Sequence, residues 1–204
     1  MSRPTRISHW TMSAHLGRYV AQTNQAQVAL LTLAETTPLA RTISFDTPRF
    51  QYSDGQRTLV GSYHVTLELP QGEERWCVHR RQVDEDSPLE TARKGHAVYD
   101  GARYRSFQFS ELTANRIELK NRRTIRSKLG VGCDVDTRTL ELRLMKHLTC
   151  DWATLGRLAC VLAVPLSILE LAVYRRYLAN HVEADLTEHL ISPAWPIRRR
   201  AEHA

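Results

Sequence analysis

The stretch FQYSDGQRTLVGSYHVTLELPQGEERWCVHRR, residues 50–81, decides how the fold is read. Between residues 62 and 69 the chain alternates. Tyr63, Val65, Leu67 and Leu69 fall on one side of an extended strand, and Ser62, His64, Thr66 and Glu68 on the other. One face is therefore core and the other polar. Pro70, Gln71, Gly72 and Glu73 supply turn chemistry, after which Trp76 and Val78 alternate with Cys77 and His79, so a β-hairpin is predicted. Upstream, the turn residues Ser53, Asp54 and Gly55 separate Phe50, Gln51 and Tyr52 from Thr58, Leu59 and Val60. This adds a further strand to the same sheet, antiparallel in this part.

With 204 residues, 42% of them hydrophobic, the chain can bury one good core and a second small one, so two compact units are expected. No run approaches the roughly 18 apolar residues of a membrane-spanning helix. The N-terminal residues Arg3, Arg6 and His9 accompany no apolar run of the kind a secretory signal needs, so a cytoplasmic protein without membrane contact is expected. Cys77, Cys133, Cys150 and Cys160 show no CxxC spacing. They are read as reduced, mostly buried thiols rather than as a disulfide framework or a zinc ribbon.

A formal charge of +6 suggests an anionic partner, and the distribution of that charge is uneven. Arg116, Lys120, Arg122, Arg123, Arg126 and Lys128 stand against the single acid Glu118, while Ile117, Leu119, Ile125 and Leu129 can form a buried stripe. A helix with a basic face results. Such a face is either simply solvated or a contact surface for nucleic-acid phosphates.

The second unit is expected near Thr139. Leu140, Leu142, Leu144, Met145 and Leu148 make an amphipathic helix, Thr149 or Asp151 can cap a second helix from Ala153 to Leu162, and Pro165 opens a third through Tyr177. Three short helices with a tight break at Ala163, Val164 and Pro165 match a helix-turn-helix, although an ordinary helical bundle has the same periodicity. On the third helix Ser167, Glu170, Tyr174, Arg175 and Arg176 would point outward as recognition residues. Lys146 and His147 close the first helix, where they suit its C-terminal end or DNA. Residues 181–197, broken by Ser192-Pro193 and Trp195-Pro196, can return as a wing, and Arg198, Arg199 and Arg200 read as a basic tail.

Several passages together carry a resemblance: TNQAQVALLTLAE (residues 23–35), ISFDTPRFQYSDGQ (43–56), GSYHVTLELPQGEERWCVHRR (61–81), FQFSELTANRIELKNRR (107–123) and LANHVEADL (178–186). In this order the chain resembles the TnsA family, the endonuclease subunit of heteromeric cut-and-paste transposases. The resemblance implies an α/β fold, with a restriction-endonuclease-like mixed sheet and flanking helices followed by a small helical winged-helix-type domain. The expected division is an N-terminal arm (1–22), a degenerate PD-(D/E)XK nuclease-like domain (23–135), a helix-turn-helix or winged-helix domain (136–197) and a basic tail (198–204).

Such nucleases hold Mg²⁺ and a water nucleophile with an acid on the first helix, an acid opening the hairpin, and an acid two residues before a lysine on the next strand. At the matching positions this chain has Gln25 (between Asn24 and Ala26), Ser62, Cys77 and His79. None supplies a hard carboxylate, so no metal or other cofactor is expected. The reading that results is a catalytically inactive nuclease-like protein that binds double-stranded DNA beside a protein partner such as a transposase or targeting complex. Arg116, Lys120, Arg122, Arg123, Arg126, Lys128, Lys146, Arg175, Arg176, Arg198, Arg199 and Arg200 are the candidate DNA contacts. Two alternatives stay open: an active nuclease whose acids have moved to Glu68 or to Asp84, Glu85 and Asp86, and a protein-interaction subunit that does not itself grip DNA.

Overall fold

The computed structural model describes residues 9–13, 18–22 and 24–201. Strands β1 (His9–Ser13) and β2 (Arg18–Gln22) pair with each other, and the rest of the expected N-terminal arm, residues 1–22, lies outside the described residues. The remainder forms two compact units, one of Ala21–Glu35 and Ala40–Ala114, the other of Thr36–Leu39 and Asn115–Ala204.

The first unit is a mixed sheet between helices. It contains α1 (Gln25–Glu35), β3 (Thr42–Ser44), β4 (Arg49–Ser53), β5 (Thr58–Ser62), β6 (Val65–Leu69), β7 (Gly72–His79), α2 (Pro88–Tyr99), β8 (Arg103–Gln108) and α3 (Phe109–Ala114). The four-stranded sheet runs β3-β6-β7-β8, antiparallel except for the β7–β8 pair, which is parallel because α2 carries the chain across. Alternation along β6 and β7 sends Val65, Leu67, Leu69, Trp76 and Val78 to one face, where Ala26, Leu30 and Ala34 of α1 cover them. Cys77 faces the other way, into a cluster with Phe50, Tyr63, Ala97 and Ala102 beneath α2.

The hairpin differs from expectation in one respect. The strand predicted from residue 62 to 69 is broken at Tyr63 and His64. Strand β5 ends at Ser62 and pairs with β4 as a separate two-stranded sheet, and the four-stranded sheet begins again at Val65. The cause is local. Tyr63 stacks on Phe50 at 5.5 Å and donates its hydroxyl to the carbonyl of Arg93 at 2.9 Å, which turns it out of phase with Val65. His64 stays against β7. Its N–H donates to Trp76 O at 2.9 Å, and its imidazole Nδ1 accepts the Val78 N–H at 3.0 Å, in the place of a ladder carbonyl. Gly61 permits this crowding, because a Cβ there would lie 2.5 Å from the Phe50 ring.

The second unit contains α4 (Arg116–Val131), α5 (Arg138–His147), β9 (Ala153–Thr154), α6 (Leu155–Leu162), α7 (Leu166–Leu178), β10 (Val182–Ala184) and β11 (Pro196–Arg199). The three short strands form an antiparallel sheet in the order β10-β11-β9, and α6 and α7 meet at a 112° bend. The bend is closed by Ala163 in the left-handed conformation (φ 51°). Thr154, rather than Thr149 or Asp151, caps α6, accepting the Arg157 N–H at 3.3 Å.

Three expectations about this unit are corrected. The boundary placed between residues 135 and 136 falls at Asn115, because α4 belongs to this core: Ile125 is buried with Leu140, Leu169, Ala172 and Tyr174. Helix α7 is not an exposed recognition helix, since Leu169, Leu171, Ala172, Val173, Tyr174 and Tyr177 are all buried. The basic tail does not begin at residue 198, because Arg198 and Arg199 are the end of β11, paired with Glu183 and Val182. The thiols also divide otherwise than composition suggests: Cys77 is buried, whereas Cys133, Cys150 and Cys160 are exposed. No single helix among the described residues is long and apolar enough to cross a membrane.

Candidate functional site

Of the four positions that the resemblance matches to nuclease acids and lysine, three lie around the C-terminal end of β7. Gln25 is the exposed first residue of α1, next to Asn24, whose side chain accepts the Gln27 N–H at 3.1 Å. Ser62 ends β5, and its carbonyl accepts Arg93 Nε at 3.1 Å and lies 3.9 Å from Cys77 Sγ. Cys77 has no solvent exposure, and burial pushes its thiol up to about 11, so it is a protonated apolar group at neutral pH. His79 ends β7 with its side chain 13% exposed and Nε2 3.5 Å from Glu90 Oε1. Burial, aided by the Arg93 charge and opposed by Glu90, holds the His79 pKa below its ordinary value. Neighbouring His64 is lowered to about 4 by burial first and by Arg93 second, and is neutral.

The carboxylate that reaches this place is Glu90, which strand and loop patterns do not reveal. It sits in the first turn of α2 at 2% exposure, bonded to Arg93 one turn on and to the Tyr104 hydroxyl from β8. Its spacing to Arg93, i to i+3, is a signal of an intrahelical pair, but only the β7–α2–β8 crossover brings it against His79. Burial raises the Tyr104 hydroxyl pKa, so Tyr104 remains a neutral donor to Glu90.

These donors do not fit a Mg²⁺ ion, which takes oxygen ligands and usually one or two carboxylates. The carboxylate found there among the described residues is paired with a guanidinium, and the thiol beside it keeps its proton. The alternative acids are placed elsewhere. Glu68 is exposed, accepts a bond from Thr42 at 2.9 Å, and pairs across the ladder with Glu73 at the turn. Six residues of strand, about 20 Å at 3.3 Å per residue, separate Glu73 from His79. Asp84, Glu85 and Asp86 are exposed, with Asp84 accepting the Asp86 N–H at 3.0 Å and Glu85 facing Lys94 at 3.3 Å. Among the described residues the group of three acids and histidines able to meet at one ion is Asp185, Glu188 and His189, in the second unit. There Asp185 already accepts the N–H groups of Thr187 and Glu188 and contacts His189 at 2.7 Å.

The cations proposed for DNA divide sharply. Arg116, Lys120 and Arg123, at i, i+4 and i+7 of α4, are exposed on the side away from buried Asn121 and Ile125. They have no ion pair among the described residues and form a stripe about 10 Å long at 1.5 Å per residue. Lys146 is likewise exposed at the end of α5. The others are engaged. Arg122 bonds Glu118 at 2.8 Å and both oxygens of Thr36, at 3.1 and 3.0 Å. Arg126 is half-buried and partnered, and Lys128 pairs with Glu170 at 3.1 Å.

Arg175 and Arg176 are corrected from recognition residues to structural ones. Arg175 donates to the carbonyls of Val135 and Gly132 at 2.7 and 2.9 Å and to Thr137 Oγ1, tying down the α4–α5 connection. Arg176 faces Glu141 at 2.9 Å. Tyr174, also expected outside, has no exposure and packs at 6.2 Å on Trp195. Arg198 forks onto both oxygens of Glu183 at 3.0 Å and stacks over Trp152, whereas Arg199 and Arg200 reach the rim of a cavity beyond the α7 C-terminus.

No protein-family model, no curated protein and no solved structure matches this chain.

Proposed function

We propose that this protein binds double-stranded DNA through the α4 stripe and does not cut it, serving as an accessory or targeting subunit beside a transposase or related mobile-element complex. The observation that carries the reading is the buried Glu90–Arg93 pair: where a nuclease presents free carboxylates to Mg²⁺, this chain presents a neutralised acid, a protonated thiol and a neutral imidazole. Two orders of elements support it. The sequence helix, antiparallel strands, crossover helix, parallel strand of the first unit is compatible with a restriction-endonuclease-like core. The series α5, β9, α6, α7, β10, β11, with β11 central in its sheet, is compatible with a winged helix. The setting comes from the resemblance to the TnsA family.

The grip is on phosphates rather than bases. Each phosphate contact releases counterions, so affinity falls steeply with salt. The test is fluorescence anisotropy with a labelled duplex at low and at physiological salt, together with incubation of supercoiled DNA with Mg²⁺ or Mn²⁺. Binding weakened by salt and no nicking are expected. Affinity indifferent to salt, or cleavage lost on Glu68→Ala or Asp84→Ala, overturns the reading.

One observation favours a second reading, a protein-interaction subunit whose partner touches the DNA. The helix that reads the groove in winged-helix proteins, α7, is buried here. In that case assembly with the partner persists when Lys120 and Arg123 are replaced, while the isolated chain binds no duplex.

A further inference from the structure

A cavity of about 290 Å³ opens beyond the C-terminus of α7, lined by His181, Arg199 and Arg200 together with the apolar Leu39, Met145 and Ala179. No acid lines it. Its cationic lining is set by backbone geometry. The chain leaves α7 through Asn180 in the left-handed conformation (φ 61°), and the Arg200 N–H donates to His181 O at 3.0 Å, which fixes the two residues side by side.

The cations are not there to satisfy the helix end. The last carbonyls of α7 are already occupied: Arg175 O takes the Ala179 N–H at 3.0 Å, Arg176 O the His181 N–H at 2.9 Å, and Tyr177 O the Asn180 N–H at 2.9 Å. Arg200, which lines the cavity, has no ion pair among the described residues, and its Nε is buried without an acceptor. The sealed Nε is closed to a ligand, so it is the outer end of this unpaired guanidinium that is available to an anion. His181 can add a second donor. Its Nδ1 lies 3.1 Å from the Arg176 guanidinium, which has only protons to give, so in the neutral ring Nε2 carries the hydrogen.

We propose that this cavity binds a phosphomonoester, the terminal phosphate of a DNA strand, with Arg200 and His181 on its oxygens and Leu39 and Met145 against the terminal sugar. A terminal phosphate carries more charge than a backbone diester and can enter a recess that a continuous strand passes over. This site is separate from the α4 stripe and rests on the proposed function only for the source of the phosphate.

The test compares anisotropy of two duplexes of identical sequence, one with 5′-phosphate and one with 5′-hydroxyl ends, on the full chain and on Arg200→Gln, with 3′-phosphorylated duplex as a further arm. About tenfold tighter binding of one phosphorylated duplex is expected, since one charged hydrogen bond contributes about 1.4 kcal/mol or more. Arg200→Gln should erase that preference, leave the hydroxyl duplex unchanged and keep the ligand-free melting temperature, with Arg200→Lys restoring part of it. Equal binding of all ends, or a preference that survives Arg200→Gln, overturns the proposal. If no duplex binds, the proposed function fails on its own. The cavity is then judged by thermal shift with thymidine monophosphate, where stabilisation of the wild type but not of Arg200→Gln supports it and no shift sinks it. A shift with inorganic phosphate as large as with the nucleotide, and no preference among ends, means an adventitious ion only and also overturns it.

Discussion

Glu90 and Arg93, one turn apart on α2, form a buried ion pair beside His79, so that the acid facing this histidine is held by its own helix. Replacing one partner leaves the other charge in a place that water does not reach. Glu90→Gln is expected to destabilise the first unit by about 3 kcal/mol or more, and Glu90→Gln combined with Arg93→Met by less than the sum of the singles. Urea denaturation of the four proteins checks this, and additivity would falsify the coupling.

His64 gives the same unit a dependence on acid. Burial lowers its folded-state pKa from 6.5 to about 4, so the unfolded chain binds a proton that the folded chain refuses throughout that interval. The contribution is fully present above pH 6.5 and is lost as pH falls toward 4, by on the order of 3 kcal/mol at 1.36 kcal/mol per unit. Lowered His79 acts in the same direction. His64→Gln, which keeps an acceptor for the Val78 N–H, should flatten the slope of urea midpoint against pH between these limits.

Asn121 holds the long connection between β10 and β11. Its amide donates to the carbonyls of Leu186 and His189 at 3.0 and 2.7 Å, and its oxygen accepts the Ile191 N–H at 3.0 Å. Asn121→Leu should cost about 2 to 4 kcal/mol, because three backbone partners lose their mate in a buried place. Hydrogen exchange read at the Ile191 amide should accelerate most, with the α7 amides following only on global unfolding.

Tyr174 offers the opposite sign. Its hydroxyl is buried with no hydrogen-bond partner among the described residues, and burial raises its pKa. Tyr174→Phe should leave stability unchanged or raise it by about 1 kcal/mol, measured as a higher denaturation midpoint at the same slope.

The α4 stripe and the α7 arginines should separate cleanly in binding. Lys120→Ala with Arg123→Ala is expected to reduce duplex affinity and to lower the slope of log K against log salt by about 2, with folding intact. Arg175→Ala should act on stability instead, since its guanidinium holds the carbonyls of Gly132 and Val135.

Much of the architecture is legible in the residue pattern, for reasons that differ by element. Val65, Leu67 and Leu69 announce their strand because one face is buried and the other is not. Helices α6 and α7 announce themselves by apolar spacing and by the proline between them, though not by the residue that caps α6. What the pattern misreads is set by distant partners. Tyr63 has the phase of the strand but turns away to reach Phe50 and Arg93, thirty residues on. Arg175 reads as an outward cation because nothing local shows that the α4–α5 connection will bring three carbonyls to it. Glu90 is invisible as a partner of His79 until the parallel crossover is closed. Charge counted along α4 overstates its free cations for the same reason, since Arg122 and Lys128 are used inside the unit while Arg116, Lys120 and Arg123 are not.

The burial of α7 has an energetic corollary. For that helix to enter a DNA groove, α4 would have to lift away, exposing Ile125, stripping Asn121 of the connection it holds and breaking Lys128 from Glu170. Losses of that size are comparable with the whole stability of a domain. Entry of α7 into a groove therefore competes with the packing that keeps this unit folded, and under the proposed function the choice of a DNA site falls to something other than this helix.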